Sequence, residues 1–205
     1  MADRVALIDY GAGNLQSVRN ALKAAGADQI AVTADPDIVA RAERIVLPGV
    51  GAFAHCMQGV SAIAGMIDAL EARVRCEGVP FLGICVGMQL LADEGVEHGS
   101  TKGLGWISGT VRGIEPAPGL KVPHMGWNDV SPARDHPVVA AGEAYFLHGY
   151  HFDATDPADV LATTDHGGAR VAAVVKGNIL GVQFHPEKSQ AYGIATLARF
   201  LKWCP

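Results

Sequence analysis

No block of lysine and arginine occurs anywhere in this 205-residue chain, which sets 16 basic against 21 acidic residues for a formal net charge of -5. Nucleic-acid footprints are basic and clustered, so that class of partner has no support, and neither does a polyanion or an anionic membrane surface. Long apolar runs are missing as well: nothing approaches the roughly 18–20 residues that a membrane span needs. The opening Met1-Ala2-Asp3-Arg4-Val5 shows no basic stretch leading into an apolar segment and a small-residue cleavage site. No secretory signal is therefore expected, and a cytoplasmic location is. Cysteine is scarce. Cys56, Cys76, Cys85 and Cys204 are widely spaced with no C-x-x-C pair, which argues against a disulfide framework or zinc ribbon and for reduced thiols. Repeats, low-complexity segments and linkers are absent too. At 49% hydrophobic and 18% charged the composition is that of a globular chain, read as one domain over residues 1–205. Small-molecule chemistry is the class left standing.

Val5-Ala6-Leu7-Ile8-Asp9 is a short apolar run stopped by Gly11-Ala12-Gly13, the pattern of a buried strand entering a turn. Residues 15–25 put Leu15, Val18 and Leu22 at helical spacing before Gly26. Arg44-Ile45-Val46-Leu47 predicts a second strand, ending in Pro48-Gly49-Val50-Gly51. Residues 63–76 predict a helix with Ile63, Ile67, Leu70 and Val74 on one stripe. Pro80-Phe81-Leu82-Gly83-Ile84 predicts a third strand, and Met88-Gln89-Leu90-Leu91 opens the helix after it. This alternation predicts an α/β fold with a mostly parallel central sheet flanked by helices. Beyond about residue 99 the pattern changes to short β-rich pieces: 106–107, 145–147, 160–162, 171–175 and 179–184. They predict an additional antiparallel region in the C-terminal half, with a hairpin at Lys176-Gly177-Asn178. Residues 191–202 close the chain as an amphipathic helix.

Gly83-Ile84-Cys85-Val86-Gly87 has the form G-x-C-x-G between strand and helix, the thiol counterpart of the G-x-S-x-G nucleophile elbow. A sharp turn strains the central residue, and glycines on either side let the backbone close around it. Cys85 would then stand at a helix N-terminus, where unpaired N–H groups and the helix dipole favour thiolate. The Val86 N–H would point at an oxyanion formed beside the sulfur. The other three cysteines read as small core hydrophobes.

A nucleophile of this kind needs a base, and Gly181-Val182-Gln183-Phe184-His185-Pro186-Glu187 supplies one. The apolar strand delivers His185 at its C-terminal end, where catalytic groups collect in open α/β sheets. Glu187 can accept from one imidazole nitrogen and leave the other facing a thiol. Of the remaining histidines, His55, His98, His136 and His166 read as solvated surface. His124, His148 and His151 lie in unusual motifs where function, interface and plain structure stay open.

Together, G-I-C-V-G-M-Q-L-L (83–91) and G-V-Q-F-H-P-E-K-S (181–189) resemble the class I, or triad, glutamine amidotransferases. That resemblance implies a flavodoxin-like fold, L-glutamine as substrate, no cofactor or metal, and a cysteine–histidine–glutamate triad at Cys85, His185 and Glu187. It also implies an oxyanion hole from Val86 and the Val50/Gly51 loop, and substrate contacts at Gly49, Gln89, Glu97, His148, Gly149 and Tyr150. Many members of the family have serine where this chain has Gly149, so a backbone contact there survives and a hydroxyl contribution does not.

Three further segments, I-D-Y-G-A-G-N-L-Q-S-V (8–18), L-P-G-V-G-A-F (47–53) and P-H-M-G-W-N (123–128), are similar to the glutaminase subunits of imidazole glycerol phosphate synthases of histidine biosynthesis. The similarity implies a heterodimer with a (β/α)₈-barrel cyclase subunit. Ammonia would be channelled to that subunit to make imidazole glycerol phosphate and AICAR. Asn14, Trp127 and Lys188 match positions that face the cyclase. An exposed tryptophan beside Met125 also suits an interface anchor on physical grounds. The rivals are another class I glutaminase, such as one feeding pyridoxal phosphate synthesis, a non-catalytic module with an oxidant-sensing cysteine, and a secreted cysteine hydrolase.

Overall fold

A computed structural model describes residues 4–205; residues 1–3, on which much of the signal-sequence reading rests, lie outside the described residues. The first half alternates strand and helix as expected, with β2, α2 and α3 added to the elements read from the sequence. It runs β1 (Arg4–Ile8), α1 (Leu15–Ala24), β2 (Gln29–Thr33), α2 (Pro36–Val39), β3 (Arg44–Gly49), α3 (Phe53–Ala62), α4 (Met66–Leu70), β4 (Phe81–Cys85) and α5 (Val86–Gln89). The second half is mainly strand: β5 (Glu94–Gly95), β6 (Thr101–Lys102), β7 (Gly109–Gly113), β8 (His124–Pro132), β9 (Gly142–His148), β10 (Tyr150–Ala154), β11 (Val160–Asp165), β12 (Ala169–Lys176) and β13 (Ile179–Val182). Helix α6 (Gln190–Lys202) follows.

Nine strands form the main sheet in the order β2-β1-β3-β4-β13-β12-β11-β8-β9, and β10-β7-β5-β6 form a small second sheet. Pairing is parallel from β2 to β13 and antiparallel from β13 to β9. Every residue of β3, β4 and β13 is buried, which is why they read as continuous apolar runs and not as alternation. Helices α1 and α6 pack together, as do α2, α3 and α4. One continuous apolar core takes Phe53, Phe81, Phe146, Phe152, Phe184 and Phe200 from both halves of the chain. Burying such a side chain contributes about 1.5–3 kcal/mol. Exposed ion pairs such as Arg112–Asp153 contribute at most about 1 kcal/mol, so burial dominates.

The hairpin β12–β13 turns at Gly177 and Asn178, with Gly177 at φ 56° and Lys176 opposite Ile179. Three local expectations are corrected. The helix over 63–76 is divided: Ile63 ends α3, Gly65 sits at φ 79°, and only Met66 onward is helical. Beyond Leu70 the coil widens, so that the Glu77 N–H reaches the Ala72 carbonyl at 3.0 Å. Trp106-Ile107 is an irregular segment and not a strand. Its indole lies edge-on to Phe81 and donates to Glu71, so burial and not sheet pairing explains the apolar residues there. Finally, the helix after the elbow is a single turn, ending where Leu90 and Leu91 bend away.

Candidate active site

The C-terminal edges of the three central strands converge. Gly49 ends β3 directly opposite Cys85 at the end of β4, and β13 runs beside β4 with Val182 opposite Ile84, so Gln183 and His185 emerge at the same edge. Cys85 adopts φ 55°, ψ −113°, a strained conformation for a residue with a side chain and worth about 1–3 kcal/mol. Neighbouring glycines make the bend possible. A Cβ on Gly83 would lie 2.5 Å from the Gly87 carbonyl oxygen, and one on Gly87 would lie 1.9 Å from the Leu47 carbonyl oxygen. Gly49 belongs to the same close packing, since a Cβ there would meet the Gly87 nitrogen at 2.7 Å and the Tyr10 hydroxyl at 2.8 Å.

His185 follows β13 on an extended backbone, held by its N–H on the Tyr145 carbonyl (2.9 Å) and by the Ser189 hydroxyl on its own carbonyl (2.7 Å). Its Nδ1 lies 2.8 Å from Glu187 Oε1, with both side chains almost wholly buried. The other ring nitrogen, Nε2, is buried with no hydrogen-bond partner, as is Glu187 Oε2. Burial opposes charge on the ring, but the nearby Cys85 sulfur and the Glu187 carboxylate outweigh it and raise the His185 pKa to about 10. Because α5 is only one turn long, its dipole contributes little. The groups acting on Cys85 Sγ are local: the Gln183 Nε2 at 3.7 Å and the Leu147 carbonyl at 3.8 Å.

A cavity of about 320 Å³ opens over the sulfur, the size of a small-molecule site. It brings together Cys85, His185 and Glu187 with Val50, Gly51 and Val86, with Gln89 and Glu97, and with His148, Gly149 and Tyr150. Asn14 and Lys188 lie at its edge. Gly49 does not line it and packs one layer behind. Val86 begins α5, so its N–H has no helical partner. Val50 turns its carbonyl to the Cys56 thiol (3.4 Å), and Gly51 sits at φ 98°. Glu97 accepts the Phe53 N–H at 2.7 Å, capping α3 where Ala52 has no side chain to do so. Gln89 spends both amide hydrogens on the wall, one on the Tyr150 carbonyl (3.1 Å) and one on Gln183 Oε1 (2.9 Å), leaving Oε1 for a ligand.

Around the mouth the surface is apolar. Met125 (66% exposed), Trp127 (47%), Leu147, Val50 and Val122 are all open to solvent. The Trp127 ring stands edge-on to Tyr145 at 6.1 Å, and Lys188 Nζ lies 5.8 Å from the Tyr145 ring on the same surface. P-H-M-G-W-N is therefore mostly strand, its Trp on the outer surface and away from the cavity lining. Among the described residues no three His, Cys, Asp or Glu side chains are grouped to hold a metal ion.

Sequence reasoning passed over Pro123, Leu147 and Gln183. The last had a signal, a polar residue inside an apolar strand run. Two other readings are corrected. Cys76 and Cys204 are exposed and not core, although Cys56 is buried. His136 and His166 are half-buried, the first edge-on to Trp203 and the second stacked on His124, not free in solvent.

A strained cysteine on a strand-to-helix elbow, sharing a pocket with a carboxylate-bound histidine, is the arrangement that a thiol nucleophile requires. Residues 6–203 match the family of class-I glutamine amidotransferases, and the chain belongs to that family of enzymes. It is 60% identical to imidazole glycerol phosphate synthase subunit HisH of Zymomonas mobilis, over 98% of this chain and 96% of that one. It is 53% identical to the subunit of the same name from Rhodospirillum rubrum, over 98% and 100% of the two chains. Among solved structures, a glutamine amidotransferase superposes with TM-score 0.73 at 20% identity over 95% and 98% of the chains. PurLQS of Thermotoga maritima superposes with TM-score 0.69, also at 20% identity, over 98% and 96%. These two likenesses speak to the fold. No helix among the described residues is long and apolar enough to cross a membrane.

Proposed function

We propose that this chain is the glutaminase subunit of an imidazole glycerol phosphate synthase, acting as one domain in the cytoplasm and passing ammonia to a (β/α)₈-barrel cyclase subunit. One observation supports the chemistry above all: the strained Cys85 opens on the same cavity as a His185 whose Nδ1 is tied to Glu187 at 2.8 Å. The Cys85 thiolate attacks the side-chain carbonyl carbon of L-glutamine, forming a C–S bond and a tetrahedral oxyanion. Collapse breaks the C–N bond, and His185 gives its Nε2 proton to the departing ammonia. Water then adds to the thioester as His185 takes back a proton, and collapse of the second tetrahedral intermediate breaks the C–S bond, releasing glutamate and restoring the thiolate. Val86 and the Val50/Gly51 loop supply the N–H groups for the oxyanion; removing one such donor costs about 10²–10³-fold in rate. Gln89, Glu97 and the His148–Tyr150 wall take the amino-acid end. No step requires a cofactor.

The apolar rim with Trp127 and Lys188 beside it, and Asn14 at the cavity edge, is the surface for the cyclase. The Cys85→Ala protein, assembled with its cyclase, is expected to lose glutamine-dependent product formation and keep ammonia-dependent formation. Glutamine-dependent turnover that persists in this variant would overturn the proposal.

A further inference from the structure

Behind the cavity wall an unbroken line of hydrogen bonds runs from the outer end of the sheet to the sulfur. Each proton in it has one assignment. The Asn128 Oδ1 accepts the Asp129 N–H (2.8 Å), which fixes the amide orientation. Its Nδ2 then donates to the Asp165 carbonyl (2.8 Å) and to His124 Nε2 (3.1 Å). His124 Nδ1 lies 3.0 Å from His148 Nε2, and His148 Nδ1 lies 2.8 Å from the Tyr150 carbonyl. A carbonyl only accepts, so His148 carries its proton on Nδ1. Both rings are buried, and burial drives their pKa values down, to about 4 for His124 and about 3 for His148. Each ring is therefore neutral, with one donor and one acceptor. His148 Nε2 must accept, so His124 must donate from Nδ1. The Tyr150 carbonyl also receives the Gln89 amide, which binds Gln183, whose own amide reaches Cys85 Sγ.

We infer that His124, with Asn128 behind it, is a positioning residue for substrate: it locks His148 as the neutral Nδ1–H tautomer and so holds the Tyr150 carbonyl and Gly149 in place in the cavity wall. The inference rests on the proposed glutaminase reaction. His124 lines no part of that cavity and acts only through His148. Its ring is held for the task, stacked on Phe146 (4.7 Å) and on His166 (4.0 Å), and His124 stands directly opposite His148 in the β8–β9 pairing. With His124 unable to donate, His148 Nε2 is left buried without a donor. The ring can relieve that unpaired acceptor only by tilting away from its place, which strains its Nδ1–H bond to the Tyr150 carbonyl.

Two substitutions separate positioning from bulk. His124→Phe keeps the stacking and removes the donor; His124→Gln can still donate to His148 and accept from Asn128. With the cyclase complex, His124→Phe is expected to raise KM for glutamine about tenfold with kcat nearly unchanged and ammonia-dependent turnover intact, and His124→Gln to recover most of the loss. Nitrogen-15 NMR of the unmodified protein is expected to show His148 protonated at Nδ1, a readout that needs no variant to fold. An Nε2–H tautomer there, an unchanged KM in His124→Phe, or an equal defect in both variants would overturn the inference. If the unmodified complex itself fails to hydrolyse glutamine, the proposed function falls instead, and the tautomer measurement still decides whether the lock exists.

Discussion

Gly87 presses its α-carbon so tightly against the Leu47 carbonyl that a Cβ would come within 1.9 Å of the oxygen. The elbow that lifts Cys85 into the cavity depends on this contact between β3 and the start of α5. Gly87→Ala is accordingly expected to destabilise the protein by about 3 kcal/mol, since neither backbone can retreat. Gly113→Ala, whose Cβ would meet nothing nearer than Tyr150 Cε1 at 3.8 Å, is expected to change stability by under about 0.5 kcal/mol. Urea unfolding of the two variants checks both.

Glu187 fixes the orientation of His185 through one short hydrogen bond in a buried setting. Glu187→Gln keeps the shape but presents an amide that can donate where the carboxylate only accepts. Glutamine-dependent turnover is expected to fall at least about 10²-fold, by the logic of the carboxylate in other nucleophile–histidine–acid sites. Ammonia-dependent turnover in the cyclase complex should stay unchanged, and steady-state assays with each nitrogen donor separate the two.

The His185 pKa gives a signed pH dependence. Its folded value of about 10 lies above the ~6.5 of a free imidazole, so the stabilisation from the charged ring is whole below ~6.5 and is lost as pH rises through about 10. Glutaminase activity should fall over the same alkaline limb, because the leaving ammonia loses its proton donor. In Cys85→Ala the first of the influences raising the value is gone while burial remains, so the ring's titration should move down. Proton NMR titration of His185 in both proteins measures this; an unmoved midpoint would show that the thiol does not act on the ring.

Arg44 is buried beneath α6, where its guanidinium donates to the carbonyls of Phe200 (3.1 Å) and Trp203 (2.7 Å). Arg44→Met leaves these helix-end acceptors without that donor and is expected to cost about 2–3 kcal/mol. For a chain of this length that is a fall in Tm of roughly 5–10 °C, readable by calorimetry, with KM for glutamine unaffected.

Trp127 is half exposed and braced by Tyr145, and its removal leaves no cavity in the core. Trp127→Ala is expected to weaken association with the cyclase subunit by roughly 30-fold, the scale of an interface anchor, while the Tm of the free chain stays within a degree or two. Titration calorimetry with the purified partner tests it.

Much of the site was legible because its key geometry is local. A cysteine between two glycines at a strand end has few other ways to fold, and Glu187 sits two residues past His185 in the short turn that begins at Pro186. Part of the parallel half was legible for the same reason, since β1, β3 and β4 are short apolar runs followed by glycine turns, whereas β2, α2 and α3 were not read from the sequence. Residues 63–76 misled because hydrophobic periodicity continues across Gly65, whose positive φ breaks the helix without disturbing the stripe. Trp106-Ile107 misled because burial in an irregular segment selects the same apolar residues as a strand.

The alternation of strand and helix along the first half, the glycines of the elbow and the candidate nucleophile and imidazole follow from the chain by itself, because each is read from neighbours within a few positions. Which of several histidines would be surface, which would be stacked and which would face the cavity was decided only by the tertiary structure. His124 meets His148 because β8 and β9 pair in one register, and Gln183 reaches Cys85 across 98 residues because β13 lies beside β4. Sheet register is set by packing of the whole apolar core, and no short segment carries it.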